Sequence, residues 1–153
     1  MNVASTRLPP RAVVAALLAA ASEARARAYA PYSGYRVGAA LVTRKGQVYA
    51  GANVENATFG ATLCAERAAI AAMVAAGDLL PVACLVITAG PRPGAPCGIC
   101  RQVLFEFARD MPIMLRAQDE SGHVTAQRTT RLRALLPDAF SLSATIGGKS
   151  AHR

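Results

Sequence analysis

The residues best suited to chemistry are Cys64, Glu66, Cys97 and Cys100. Cys97 and Cys100 form a Cys-x-x-Cys after Pro96, Cys64 stands 33 positions upstream of Cys97, and Glu66 follows Cys64 by two. Three thiolates can hold Zn²⁺ and leave a fourth position for water, and that open position separates a catalytic zinc from a structural one. The same spacing also admits a redox Cys-x-x-Cys or a closed structural zinc. A redox pair leaves Cys64 and Pro96 unexplained, and a closed site needs a fourth ligand. His123 falls in an expected hairpin turn and His152 in the tail, so neither is well placed to supply it. Cys84 sits inside an apolar run and is expected as a core thiol. Closure by Glu66 itself would be unusual for a three-Cys set. A catalytic zinc site is the reading these residues favour.

Such a site needs elements that bring distant thiols together. Pro9-Pro10 suits the start of a first helix that runs to about Tyr29 and stops before Pro31. Residues 37–43 and 47–53 read as two antiparallel strands joined at Lys45-Gly46. After a loop from Glu55 to Ala61, a second helix is expected to begin near Thr62 as N-cap. Ile70, Met73 and Val74 give it an apolar face, and Gly77 ends it. Residues 82–89 read as a strand covered on both faces, and 97–110 as a third helix with Val103, Leu104 and Phe107 inward. Residues 113–117 and 124–127 form a second antiparallel pair, since their connection is too short for a parallel crossover. Residues 130–136 read as a short helix. The order implies an α/β fold, a three-layer α/β/α sandwich whose mixed five-stranded sheet carries helices on both faces. The 153 residues are expected to form one domain, with 1–8 and about 143–153 as loose tails.

On this reading Cys64, Cys97 and Cys100 all lie in first turns of helices, where free N–H groups and the helix dipole stabilise thiolates. Side chains tilt toward the helix N-terminus, so Glu66 can reach a water at the open position without being a ligand. Three thiolates and Zn²⁺ sum to one negative charge. Arg67 is expected to offset it by donating hydrogen bonds to a zinc-bound sulfur.

Composition sets the outer limits. Apolar residues make up 53% and charged residues 17%, which excludes a disordered chain. No stretch of about 20 apolar residues lacks a charge, so no membrane-spanning helix is expected. Seventeen Lys+Arg against nine Asp+Glu give +8. The cations are scattered, with no run of five or six and no interleaved aromatics, so the charge reads as a solvated surface rather than a nucleic-acid site. Four Cys are too few for a disulfide scaffold and fit a reducing, cytoplasmic setting. Arg7 and Arg11 before the apolar stretch 12–21 have the elements of a secretory signal. However, Val13, Val14, Leu17, Leu18 and Ala21 recur at helical spacing, which favours a helix of the domain itself.

The motifs resemble those of the zinc nucleoside and nucleobase deaminases, with their Cys-x-Glu and Pro-Cys-x-x-Cys signature. Ala30-Pro31-Tyr32-Ser33, Val37-Gly38-Ala39-Ala40-Leu41, Asn53-Val54-Glu55-Asn56, Cys64-Ala65-Glu66-Arg67, Pro96-Cys97-Gly98-Ile99-Cys100-Arg101-Gln102 and Leu135-Leu136-Pro137-Asp138-Ala139-Phe140 look like the small homotetrameric cytidine deaminases. They span roughly residues 12–140 in that family's order. Cys rather than His at position 64 points to the free-nucleoside branch. The resemblance implies hydrolysis of cytidine and 2′-deoxycytidine to uridine and 2′-deoxyuridine plus ammonia, as in pyrimidine salvage. It implies one Zn²⁺ per chain on Cys64, Cys97 and Cys100, Glu66 as the catalytic proton shuttle, and a homotetramer with shared active sites.

By resemblance, Asn53 and Glu55 hydrogen-bond the ribose 3′-hydroxyl, and Tyr35 and Ala65 touch the nucleoside. Phe140 stacks on the pyrimidine from a neighbouring subunit, and the segment around Ala57 and Phe59 also reaches a neighbour's site. Taken without the resemblance, Phe140 reads as a satellite core residue. Two positions depart from the family pattern: Phe59 stands where Tyr is common, and Ala52 where Cys is common. The competing readings are an aminonucleoside deaminase of the blasticidin type, a basic nucleic-acid-binding or editing protein, and a structural zinc module.

Overall fold

Strands whose residues are apolar on both faces need cover on both sides, and three strands of this chain meet that description. A computed structural model describes residues 8–142. In it β1 (Gly38–Thr43), β3 (Pro81–Thr88) and β4 (Pro112–Gln118) are buried almost throughout. β2 (Val48–Ala52) is half-buried and β5 (Val124–Arg131) largely exposed, as suits sheet edges. The order is β2-β1-β3-β4-β5. β1 runs antiparallel to both neighbours, β3 and β4 are parallel, and β5 is antiparallel to β4.

Alternate residues of these strands build two cores. Ala40, Val42, Ala83, Leu85, Ile87 and Met114 meet Leu17 and Ala21 of α1 (Arg11–Ala26). On the other face Leu41, Cys84, Val86, Ile113 and Leu115 meet Ala69, Ile70 and Met73 of α2 (Ala65–Ala75). That core is closed by Leu104 of α3 (Gly98–Phe107) and Leu132 of α4 (Leu132–Leu135). The sandwich with a mixed five-stranded sheet is therefore the fold expected, and the apolar segment after Arg11 is a helix sealed into it. No helix among the described residues is long and apolar enough to cross a membrane.

Element ends differ from expectation where long-range backbone bonds intervene. α1 stops at Ala26 because the Tyr29 N–H donates to the Asn53 carbonyl (3.1 Å) and the Tyr29 carbonyl accepts from the Glu55 N–H (2.8 Å). Thr62 is not the N-cap of α2. Val54 and Leu63 exchange both backbone bonds at 2.9 Å, which keeps the chain extended up to Cys64, and Cys64 becomes the N-cap. β5 runs on to Arg131 in register with β4, so α4 shrinks to one turn. α3 ends at Phe107, and the Asp110 carboxylate instead accepts from Arg131 Nε (2.6 Å) and the Arg133 N–H (3.1 Å).

Two glycines allow helices to lie directly on the sheet. A Cβ at Gly38 would fall 2.0 Å from the Ala21 carbonyl oxygen in α1. A Cβ at Gly51 would fall 2.4 Å from the Ala69 nitrogen and 2.6 Å from the Ala65 carbonyl oxygen in α2. A Gly51→Ala substitution must lift the helix that carries Glu66, at a cost of about 3 kcal/mol. It is expected to lower the denaturant midpoint clearly; a midpoint equal to wild type would show that α2 can move without penalty.

Candidate active site and metal centre

Both α2 and α3 begin on a cysteine. Cys64 (φ −75°, ψ 153°) and Cys97 (φ −66°, ψ 169°) are N-caps in extended backbone, so their thiols stand at the helix mouths. Cys100 lies in the first turn of α3 and is fully buried. The Cys64 and Cys97 sulfurs are 3.9 Å apart, and all three ligand sulfurs lie within 4.8 Å of one another. A tetrahedral ion with Zn–S bonds near 2.3 Å requires sulfurs about 3.8 Å apart, so the cluster fits zinc. The four cysteines are all free thiols, and Cys84 is a core residue of β3, as expected.

The electrostatics also favour a cation here. Burial pushes the Cys64 thiol up, and repulsion from Cys97 and Glu66 adds to this. Burial, then the charges of Glu66 and Cys64, pushes Cys100 up further. Burial acts to raise Cys97 too, but the Cys100 and Ile99 N–H groups and the two neighbouring thiols outweigh it, and this thiol is lowered. Three crowded thiols cannot all ionise without a compensating charge, and a divalent ion with an affinity for sulfur supplies one. Glu66, only 4% exposed, accepts a hydrogen bond from Cys100 Sγ at 3.5 Å. Burial raises its carboxyl above the ordinary range, opposed by its own backbone N–H, the Cys100 bond and the Arg67 charge.

A cavity of about 220 Å³ opens at this cluster. It gathers Tyr35, Asn53, Cys64, Ala65, Glu66 and Cys97, six of the residues singled out from the sequence. Asn53 Oδ1 accepts from the Val37 N–H (2.8 Å) and Nδ2 donates to the Tyr35 carbonyl (2.9 Å), so this side chain ties the end of β2 to the cavity rim. Glu55 lies elsewhere. It lines an adjoining hollow of about 380 Å³ with Tyr32, Ser33, Phe59 and Thr62. Its carboxylate accepts from the Ser33 hydroxyl and from the Tyr32 (2.8 Å) and Ser33 (3.2 Å) N–H groups, and the Ser33 hydroxyl in particular holds it below the usual range. Thr62 lines both spaces. Arg67 donates to the Thr62 carbonyl, while its Nε is buried with no hydrogen-bond partner.

Phe140 does not line the cavity. As a residue it is 59% exposed, so in the single chain it is not the satellite core residue that the bare sequence suggests. Three contributors were not anticipated. Thr88 and Gly94 form a cavity wall, held by a 2.8 Å bond from the Gly94 N–H to Thr88 Oγ1. Arg101 donates to the Pro96 carbonyl (2.7 Å) and the Leu135 carbonyl (2.9 Å), which steadies the approach to Cys97. The only sequence signal for them was a Thr ending an apolar strand and an Arg next to a ligand Cys.

A mixed-sheet sandwich that brings three thiols and a buried carboxylic acid to the mouths of two helices is the framework of a zinc-site enzyme. The family model described as the cytidine and deoxycytidylate deaminase zinc-binding region matches residues 13–115. The chain is 40% identical over 126 residues to a cytidine deaminase of Sporosarcina psychrophila, covering 82% of this chain and 89% of that one. It is 42% identical over 124 residues to the Mycobacterium tuberculosis cytidine deaminase (80% and 85%). The crystal structure of cytidine deaminase from Burkholderia pseudomallei superposes with a TM-score of 0.75 at 44% identity, covering 82% of this chain and 98% of that one. The chain belongs to the cytidine and deoxycytidylate deaminase family.

The purified protein is expected to carry about one zinc per chain. Cys97→Ala, at an exposed N-cap, is expected to lose it while the helical circular dichroism signal persists. Wild-type zinc content in that variant would remove Cys97 from the ligand set.

Proposed function

We propose that the protein hydrolyses cytidine and 2′-deoxycytidine to uridine and 2′-deoxyuridine plus ammonia, a step of pyrimidine salvage. The observation that carries this is Glu66, buried 3.5 Å from Cys100 Sγ and lining one cavity with Cys64 and Cys97. Relatives named cytidine deaminase, matched over four-fifths of the chain, support the substrate. Cys64, Cys97 and Cys100 would hold the metal. Bound there, zinc acts as a Lewis acid and makes water a nucleophile at neutral pH.

The chain's own residues handle protons and position. Cytosine C4 is a weak electrophile and its amine a poor leaving group. Glu66 takes a proton from the attacking water and passes it to N3, which activates C4. It then takes the proton of the new hydroxyl and hands it to the amine, which leaves as ammonia. One carboxylate acts as base and then acid, so a value raised toward the working pH suits it. Arg67, with its buried Nε–H uncommitted, is assigned to a ligand sulfur, where it would offset the thiolate charge.

Asn53 and Glu55 are assigned to the ribose 3′-hydroxyl, and Tyr35 and Ala65 to the nucleoside. Asn53 keeps one N–H and one lone pair after its two backbone bonds, which matches a group that both donates and accepts. Glu55 accepts three bonds, and a carboxylate has room for a fourth. Phe140, exposed and outside its own cavity, is assigned to the site of a neighbouring subunit in a homotetramer with shared active sites. Four free thiols fit a cytoplasmic setting.

Ultraviolet-monitored conversion of cytidine, with zinc measured on the same sample, tests this reading. Turnover is expected in the wild type. Glu66→Ala is expected to keep zinc and fold and to lose turnover by at least ~10²–10⁴-fold. Wild-type turnover in that variant would refute the shuttle. Zinc without turnover on either nucleoside would shift the substrate to a related aminonucleoside, or reduce the site to a structural one.

A further inference from the structure

We propose that Gln102 is a positioning residue for this reaction: it fixes the backbone of Phe140 so that the ring is held ready for a neighbouring copy's active site. This rests on the reading of Phe140 given above. Gln102 Nε2 donates to the Phe140 carbonyl at 2.9 Å, and the Phe140 N–H donates to Gln102 Oε1 at 3.2 Å. One side-chain amide thus engages both polar backbone groups of one residue, as a paired strand residue does. Two neighbouring bonds act on the same segment. Arg109 Nη1 donates to Ser141 Oγ at 3.1 Å, with its guanidinium 4.8 Å over the Phe105 ring. Arg101 Nη1 holds the Leu135 carbonyl at 2.9 Å. The segment from Leu135 to Ser141 is therefore stapled to α3 and the residues just after it.

What is stapled is backbone, while Phe140 as a residue stays 59% exposed. A segment ordered only for the stability of its own chain would gain more by turning that ring inward. Ordering the backbone in advance also lowers the entropy lost when the ring meets a ligand. Gln suits this role because an amide carries both an acceptor and N–H donors, whereas a carboxylate is acceptor-only. Its place matters as well. Gln102 follows Cys100 by two residues on α3, so the helix that sets two thiols of one site also sets the ring offered to the next.

A double-mutant cycle on the zinc-loaded protein tests this, read as KM and kcat for cytidine. Phe140→Ala is expected to raise KM. Gln102→Ala is expected to raise KM roughly tenfold through loss of two hydrogen bonds, with zinc content and kcat unchanged. In the Phe140→Ala background, Gln102→Ala is expected to add nothing, because its effect runs through the ring. Gln102→Glu keeps the side-chain volume but sets a carboxylate against the Phe140 carbonyl, and is expected to match Gln102→Ala.

Additive effects in the double variant, or a wild-type KM in both Gln102 variants, would overturn the proposal. A Phe140→Ala enzyme with wild-type kinetics would overturn the reading of Phe140 and this proposal with it. A wild-type protein that does not deaminate cytidine would overturn the functional reading itself.

Discussion

The structure depends on one meeting point, where two helices start on cysteines and three sulfurs lie within 4.8 Å. No local propensity holds Cys64 beside Cys97. The sheet must do it. β3 and β4 are parallel neighbours, so the chain leaving β3 has to cross over through α3, and the start of α3 falls at the carboxyl end of β3. That is where open α/β sheets place their ligand crevices. α2 lies on the same face of the sheet as α3, seated on β2 at Gly51, with no room for a Cβ between helix and strand. The Val54–Leu63 backbone pair then keeps the chain extended until Cys64, so the helix begins on the thiol rather than two residues before it.

Burying Glu66 follows from the same meeting point. An isolated carboxylate at 4% exposure would be costly. Here it sits in the first turn of α2, where backbone N–H groups are unpaired within the helix, and it accepts from Cys100 Sγ. The two helix mouths thus moderate the acid, through the Glu66 N–H of α2, and one thiol, Cys97, through the Cys100 and Ile99 N–H groups of α3. Loss of fit between α2 and β2 would disturb both, which makes Gly51 as much a site determinant as a packing one.

The sequence made the elements readable because they obey simple periods. Two antiparallel pairs, a doubly covered third strand and three longer helices follow from apolar spacing and from Gly46, Gly77 and Pro31. Cys64, Glu66, Cys97 and Cys100 were readable because zinc restricts both residue type and spacing. The misses share a different cause. Thr62 looks like an N-cap, but a backbone bridge nine residues long in sequence overrides it. β5 outran its apolar stretch because its ladder with β4 continues through Arg128 and Thr130, residues with no inward apolar signal. Gly38 and Gly51 give no sign in sequence of the helices above them, since close approach is a property of the partner. Thr88, Arg101 and Gln102 act on backbone atoms, of Gly94, Leu135 and Phe140 respectively, and a backbone atom has no residue type to recognise.

Within one chain the groups for chemistry meet in one cavity, while the residues assigned to recognition are spread over two spaces and the surface. The thiols and Glu66 converge, but Glu55 faces the adjoining hollow and Phe140 lies outside both spaces. Large apolar side chains stand exposed at the Glu55 hollow and on the first turn of α3. Tyr32 and Phe59 meet edge to face at 6.0 Å yet remain 55% and 76% exposed, and Ile99, between two thiols in sequence, is 62% exposed. Contiguous exposed apolar groups mark surfaces that bind a partner or a ligand. The shared-site assembly proposed above would cover them, and it gives a reason for Phe59: where a ring is buried against another subunit, a phenol needs a partner for its hydroxyl, and a phenyl ring does not.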